Sequence, residues 1–492
     1  MAAHRATFTV EYLDREIMVD VNNAEGPFRF LGTIDRVFTT SLTERFRIGL
    51  DYRFSPVEPT ALLDNLTAAI YQQDAVARDL NQQIRVAPSS RIRDAETAFN
   101  NDAVGASVNA SKTVTRGATT HRFTYGAEYN VTATSKTFER FQQTAISTFT
   151  DAPRMADTDT TRTGLYLQDE IEWKFSNERK LVVIPGLRID RFELAPENSP
   201  AYLATTGGQL APDFSDTAWA PKLAVLTSLT PRLNAYAQYN HGYRYPSAEE
   251  LTATFTNVAF GYKTIPNSDL QPETSDSFEV GIKGDLTSAV EVRAAVFYNR
   301  YDDFIDQFLS TGTFDPNFPA GVFQTRNVSA AEIKGTDIAV TVTGAELSSA
   351  LNGWNARAAF GWSEGESSDD GTTWTPVASI APWQANTAIG YTANNRRWGT
   401  SFEFEYVAAK DASDSAQDPA TAFLAPAYTV FNLISWWQVR ENTTLQLGLY
   451  NLTDEKYWRY NAVRGVSASS TAQLERRTQP GFNAAASLRF RF

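Results

Sequence analysis

The chain has 492 residues, 42% hydrophobic and 12% aromatic, with 57 acidic against 44 basic side chains and a formal net charge of -13. That balance argues against a nucleic-acid partner, because phosphate binding needs a clustered surplus of Lys and Arg, and zero cysteines exclude a disulfide framework and thiolate metal sites. No window approaches the roughly 18 apolar residues of a membrane helix, whereas 31 Phe, 20 Tyr and 10 Trp would furnish two interfacial girdles around a barrel.

In chain order, the opening MAAHRATFTVEYLDREIMVD lacks a basic segment followed by an apolar one, so it does not read as a secretory signal peptide, and strand-like sequence begins near Thr7. Period-two alternation then recurs along the whole chain. In 164–174, Leu165, Leu167, Ile171 and Trp173 share one face and Gln168, Glu170, Glu172 and Lys174 the other, with Asp169 as an exception on the apolar side. In 233–240, Leu233, Ala235, Ala237 and Tyr239 oppose Asn234, Gln238 and Asn240; in 399–406, Phe402, Phe404 and Tyr406 oppose Glu403 and Glu405. Charged residues thus face a polar space, and these lumen carboxylates are expected to pair with Arg or Lys.

The connections alternate in length. Short turns fall near 55–60, 115–119, 176–179, 229–232, 286–289, 346–352, 394–397 and 439–443, and long polar stretches at 136–160, 195–216, 243–272, 304–324, 363–381, 410–426 and 456–480. Short turns on one side and long loops on the other are the asymmetry of outer-membrane barrels. Strands around the eight turns, one before Asp14 and one at the C-terminus give an all-β, transmembrane antiparallel β-barrel of about 18 strands. The closing AAASLRFRF ends on Phe492, read as an assembly signal on a strand that closes the open edge of the barrel.

Residues 236–251 (YAQYNHGYRYPSAEEL) resemble a sequence box of TonB-dependent receptors, carried here by Gly242, Tyr243, Arg244, Tyr245, Pro246, Glu249 and Leu251. The stretch 267–283 (NSDLQPETSDSFEVGIK) resembles the paired second box, through Asn267, Asp269, Leu270, Pro272 and Glu273. Both read as structural first, with Pro246 fixing φ where the strand leaves the membrane and Asn267, Asp269 and Pro272 shaping the return turn. Further on, Asn451 to Asp454, Tyr457, Trp458 and Gln479-Pro480-Gly481 are similar to the ending of the haem and haemoglobin branch, as are 35–54 and 120–130 to its middle strands. Phe482 stands where that branch often has Arg.

The resemblance implies an outer-membrane receptor, not an enzyme, that captures haem, a haem protein or a ferric siderophore and imports it through the TonB complex. It implies a barrel of about 22 strands, of which 1–492 would be the C-terminal barrel domain, with signal peptide and plug expected to be missing. A ferric-siderophore receptor, a plugless passive pore and a non-functional truncated barrel remain alternative readings. Outer-membrane lipid is a further expected partner. No resident cofactor or metal is expected, haem being cargo.

Haem iron is held by His, Tyr, Met or Cys, and the chain has three His. His4 lies at the start, His121 follows a turn on the periplasmic side, and His241 shares the outward parity of Tyr239. Tyr262 is the only iron-ligating side chain between the boxes, so it is the first ligand candidate, with Tyr243, Arg244 and Tyr245 beside it. The Ser368-Asp369-Asp370 run matches no Ca²⁺-binding spacing and reads as solvated loop charge.

Overall fold

The computed structural model describes residues 3–21, 26–28, 32–58, 60–87, 90–143, 148–175, 179–257, 261–368, 371–413 and 420–491. Among these residues there are 23 strands in one sheet. Five are short pieces within connections: Gly26–Phe28, Thr148–Pro153, Phe255–Asn257, Tyr262–Ile265 and Thr375–Pro376. The other eighteen form the wall. In chain order they are β1 Ala3–Asp20, β2 Gly32–Ser55, β3 Asn65–Ala87, β4 Arg91–Arg116, β5 Thr119–Gln142, β6 Thr158–Lys174, β7 Lys180–Pro196, β8 Phe214–Ser228 and β9 Leu233–Arg244. Then come β10 Glu273–Asp285, β11 Val290–Ser310, β12 Gly321–Thr343, β13 Trp354–Ser368, β14 Gln384–Thr392, β15 Trp398–Val407, β16 Tyr428–Arg440, β17 Thr443–Tyr450 and β18 Asn483–Phe490.

Each wall strand pairs antiparallel with the next, from β1–β2 to β17–β18. The wall count agrees with the expectation from the sequence because every tight turn there joins two strands. Among the described residues no helix is long and apolar enough to cross a membrane, and the ladders satisfy the strands' backbone groups as a membrane-spanning wall requires. Alternation assigns the faces. Leu165 and Leu167 are more than half exposed on the outside, as are Ile70, Val104, Trp219, Val280 and Val296, while Glu172 and Asp190 on the opposite parity are buried.

Inward carboxylates find bases as expected in part. Glu172 lies 3.6 Å from Arg122 and 3.4 Å from Lys174, and Arg122 also holds Glu170. Glu405 instead accepts a hydrogen bond from the Tyr428 hydroxyl at 3.1 Å. The outward Asp169 is held by His121 Nδ1 at 2.8 Å, which accounts for a carboxylate on an apolar face.

Two expectations are corrected. Strands reach further into the long-loop side than the sequence indicated: β5 continues to Gln142, β11 to Ser310 and β13 to Ser368. Beyond the lipid a strand needs only cross-strand partners, not an apolar face, so alternation fades there while pairing persists. The C-terminal strand does not close the sheet either. Among the described residues β18 pairs only with β17 and β1 only with β2, and every residue of β18 is exposed. Phe492 itself lies outside the described residues, as do Asp369 and Asp370.

Candidate functional site

The two sequence boxes meet at the end of β9. This strand leaves β8 after the pair Lys222–Asn240 but stays with β10 as far as Arg244–Glu273. Tyr243 and Tyr245 fill the resulting gap and reach β7. The Tyr243 hydroxyl donates to the Asp190 carboxylate. Tyr245 donates to the Asp190 carbonyl at 3.0 Å, accepts from the Ala218 N–H at 3.1 Å, and stacks on Phe192 with centroids 4.2 Å apart. Asp190, fully buried, also takes hydrogen bonds from Arg162 at 2.9 Å and Arg188 at 2.6 Å. Both tyrosine hydroxyls are therefore spent inside the wall.

Arg244 clasps the connection 245–272. Its guanidinium donates to Glu273 at 2.7 and 2.6 Å and to Glu250 at 3.0 and 2.8 Å. Glu273 also accepts from the Ile305 N–H at 2.7 Å. Glu250 caps its own short helix, Ala248–Thr252, reciprocally with Ser247. Burial works against ionisation of Glu250, yet hydrogen bonds from Arg244 and Ser247 hold its carboxyl below the ordinary range.

Pro246, Leu251 and Leu270 are fully buried, the two leucines in a cluster with Met155, Leu194, Ala248 and Ile305. Asn267 donates to the Thr325 carbonyl at 2.8 Å and accepts from the Asp269 N–H at 3.0 Å, the turn-shaping role expected of it. Gly242 pairs with Ser275, whose Oγ stands 2.8 Å from where a Cβ would be. Pro272 is half-buried, and Glu249 binds Lys136 of β5 at 2.6 Å, tying the first box across the wall. The sequence reading singled out Glu249 and passed over Glu250. The Ser-x-x-Glu spacing from Ser247 was the signal available for it.

Tyr262 heads a short strand that pairs with Phe255–Asn257 and, in parallel, with Gly321–Gln324. Its half-buried ring lies 5.5 Å from Phe255 and 6.2 Å from Phe323. Arg154, which sequence reasoning missed, lies over Phe255 at 4.4 Å and Phe138 at 4.1 Å, within electrostatic reach of Tyr262. Beside this strand opens a polar cleft of about 760 Å³ that includes Lys263, Asn267, Asp269, Asp315 and Arg326 in its lining. His241 points the other way, with Asp276 at 3.0 Å on the outer face. Among the described residues no group of three or more His, Asp or Glu is placed to hold a metal.

The C-terminal motif is a clip. Asn451 and Asp454 adopt positive φ, 50° and 53°. Asn451 donates to the Glu455 carbonyl at 2.8 Å and the Pro480 carbonyl at 3.1 Å, and Asp454 accepts from the Phe482 N–H at 2.8 Å. A Cβ on Gly481 would stand 2.4 Å from the Asp454 carboxylate, so any larger residue there makes that side chain shift. The clip joins the two ends of the connection 451–482, and Trp458 donates to the Leu474 carbonyl at 2.8 Å within it.

Residues 4–452 match the family model described as TonB dependent receptor-like, beta-barrel. The chain belongs to this family. Its members are outer-membrane transport receptors, not enzymes. Over 329 residues this TonB-dependent receptor barrel is 25% identical to hemoglobin-haptoglobin utilization protein B of Neisseria meningitidis serogroup C, covering 60% of the chain but only 40% of that relative. Among solved structures it resembles the copper transporter OprC, at 17% identity and a TM-score of 0.63, with 99% of this chain and 76% of that one covered. It also resembles the Serratia marcescens hemophore receptor HasR in complex with its hemophore HasA and heme, at 14% identity and a TM-score of 0.59, with 100% and 78% covered. These structural likenesses bear on the fold alone.

Proposed function

We propose that this barrel serves outer-membrane uptake of haem, taken directly or from a haem protein, through ligand capture at its long-loop side and import driven by the TonB complex. The reading is supported chiefly by the likeness to a hemoglobin-haptoglobin utilization protein over 329 residues. Locally, Tyr262 supplies a phenol oxygen of the kind that ferric haem accepts, among aromatic rings suited to a flat ligand. The box residues hold the loop in place and leave Tyr262 as the ligand candidate, since Tyr243, Arg244 and Tyr245 are engaged in the wall.

A haem titration of the purified protein, followed by the Soret band, tests this with Tyr262→Phe beside the parent. Phe keeps the ring and removes the oxygen. The expected result is a shifted band and binding weakened about tenfold, the loss of roughly one strong polar contact. Identical spectra and affinities eliminate Tyr262. Absence of haem binding by the parent moves the ferric-siderophore reading to first place, which the lack of any histidine between the boxes favours.

A further inference from the structure

The inner face of β3, β4 and β5 carries a cluster of arginines at its long-loop end. Arg85 pairs directly with Arg91, Arg93 stands opposite Gln83 and Gln142, and Arg140 stands opposite Ala95. The opposite parity bears Ile70, Leu80, Ile92, Val104 and Phe141, all exposed on the outside, so the arginines point inward. β3 and β4 run for 23 and 26 residues, far beyond the about 10 that cross a bilayer, and these ends flank the connection at 88–90. They therefore stand outside the hydrocarbon, at the mouth.

Arg85 is 4% exposed and feels the charges of Arg91, Arg93 and Arg140, while Arg154 feels that of Arg140. The Nε atoms of Arg85, Arg91 and Arg140 are buried without a hydrogen-bond partner. Among the described residues none of these five arginines forms an ion pair with a carboxylate. Several other arginines of the inner face are matched, Arg122 by Glu170, Arg188 by Glu128 and Asp190, Arg244 by Glu250 and Glu273, while Arg47, which has no carboxylate partner among the described residues, lies over the Tyr71 ring. The carboxylate that reaches this region from the first box, Glu249, is taken by Lys136. Guanidinium groups stay charged at any working pH, and clustered buried charge without a counter-charge is unfavourable. The arrangement fits an anion supplied from outside.

We infer that this cluster binds a small ligand bearing two or more carboxylates that enters the mouth and bridges Arg85, Arg91, Arg93 and Arg140, with Arg154 linking it to Tyr262. The planar forks suit bidentate carboxylate contacts. Assigning those carboxylates to the propionate arms of haem rests on the haem reading; the anion site itself does not.

The test uses the purified chain in detergent and benzenehexacarboxylate as a probe unrelated to haem, measured by titration calorimetry. Saturable binding is expected, weakened about tenfold or more by Arg85→Gln with Arg93→Gln, and unchanged by Arg122→Gln on the same face. In the unmutated protein the probe should also protect the partly exposed Arg91 and Arg93 from phenylglyoxal, a readout that needs no variant to fold. No saturable binding, equal affinity in the double variant, or no protection overturns the site. Haemin and its dimethyl ester separate the two ideas. Haemin bound more tightly than the ester, and displaced by the probe, supports both. Probe binding without haemin binding keeps the site and removes the haem reading, whereas haemin and ester bound alike with no probe binding does the reverse.

Discussion

At the residue scale the boxes act through Arg244. Its side chain is 45% exposed, while Glu250 and Glu273 are each about 10% exposed, so the clasp falls between a surface pair and a buried one. We expect Glu250→Gln to cost about 2 kcal/mol, between the roughly 1 and 4 kcal/mol of those two limits, seen as a lower unfolding temperature and faster proteolysis within 245–272. The pH dependence has a definite sign. The Glu250 pKa is lowered in the folded protein, so its contribution is present above the unfolded value and is lost as pH falls through the folded one. Proteolysis of this connection should therefore be unchanged from neutral pH to about pH 5 and accelerate only below the ordinary carboxylate value, about 4.3; acceleration already between pH 7 and 6 would contradict the clasp. At Gly481 the prediction is steric. Gly481→Ala should loosen the clip by pushing Asp454 from the Phe482 N–H, lowering assembled yield, while Ala484→Gly on the exposed last strand should change yield much less.

At the scale of elements, the wall was readable from the sequence because alternation and tight turns are local properties of consecutive residues. Leu165 against Glu170, or Phe402 against Glu403, reveals a face without any knowledge of partners. The boxes were readable as landmarks, and the turn role of Asn267 followed from residue type. What escaped was assembled from distant strands: Asp190 under Tyr243, Lys136 on Glu249, and Arg154 beside Tyr262 join residues 53, 113 and about 108 positions apart. The strand ends beyond the lipid escaped for a different reason, since pairing there leaves no apolar signature. Orientation can be checked on these elements. Protease added to intact cells should cut the connection 197–213 and spare 229–232; cleavage confined to 229–232 would reverse the assignment of sides.

At the scale of the whole molecule, eighteen strands form a wall with unpaired first and last edges among the described residues, and an arginine-lined, aromatic mouth on the long-loop side. The proposed role of this mouth is the capture of haem, directly or from a haem protein. Its most direct test is the binding of labelled haemoglobin to intact cells carrying the protein in their outer membrane. The account predicts saturable binding above that of cells lacking it, abolished when external protease has removed the long connections. Binding no greater than in cells without the protein would contradict it.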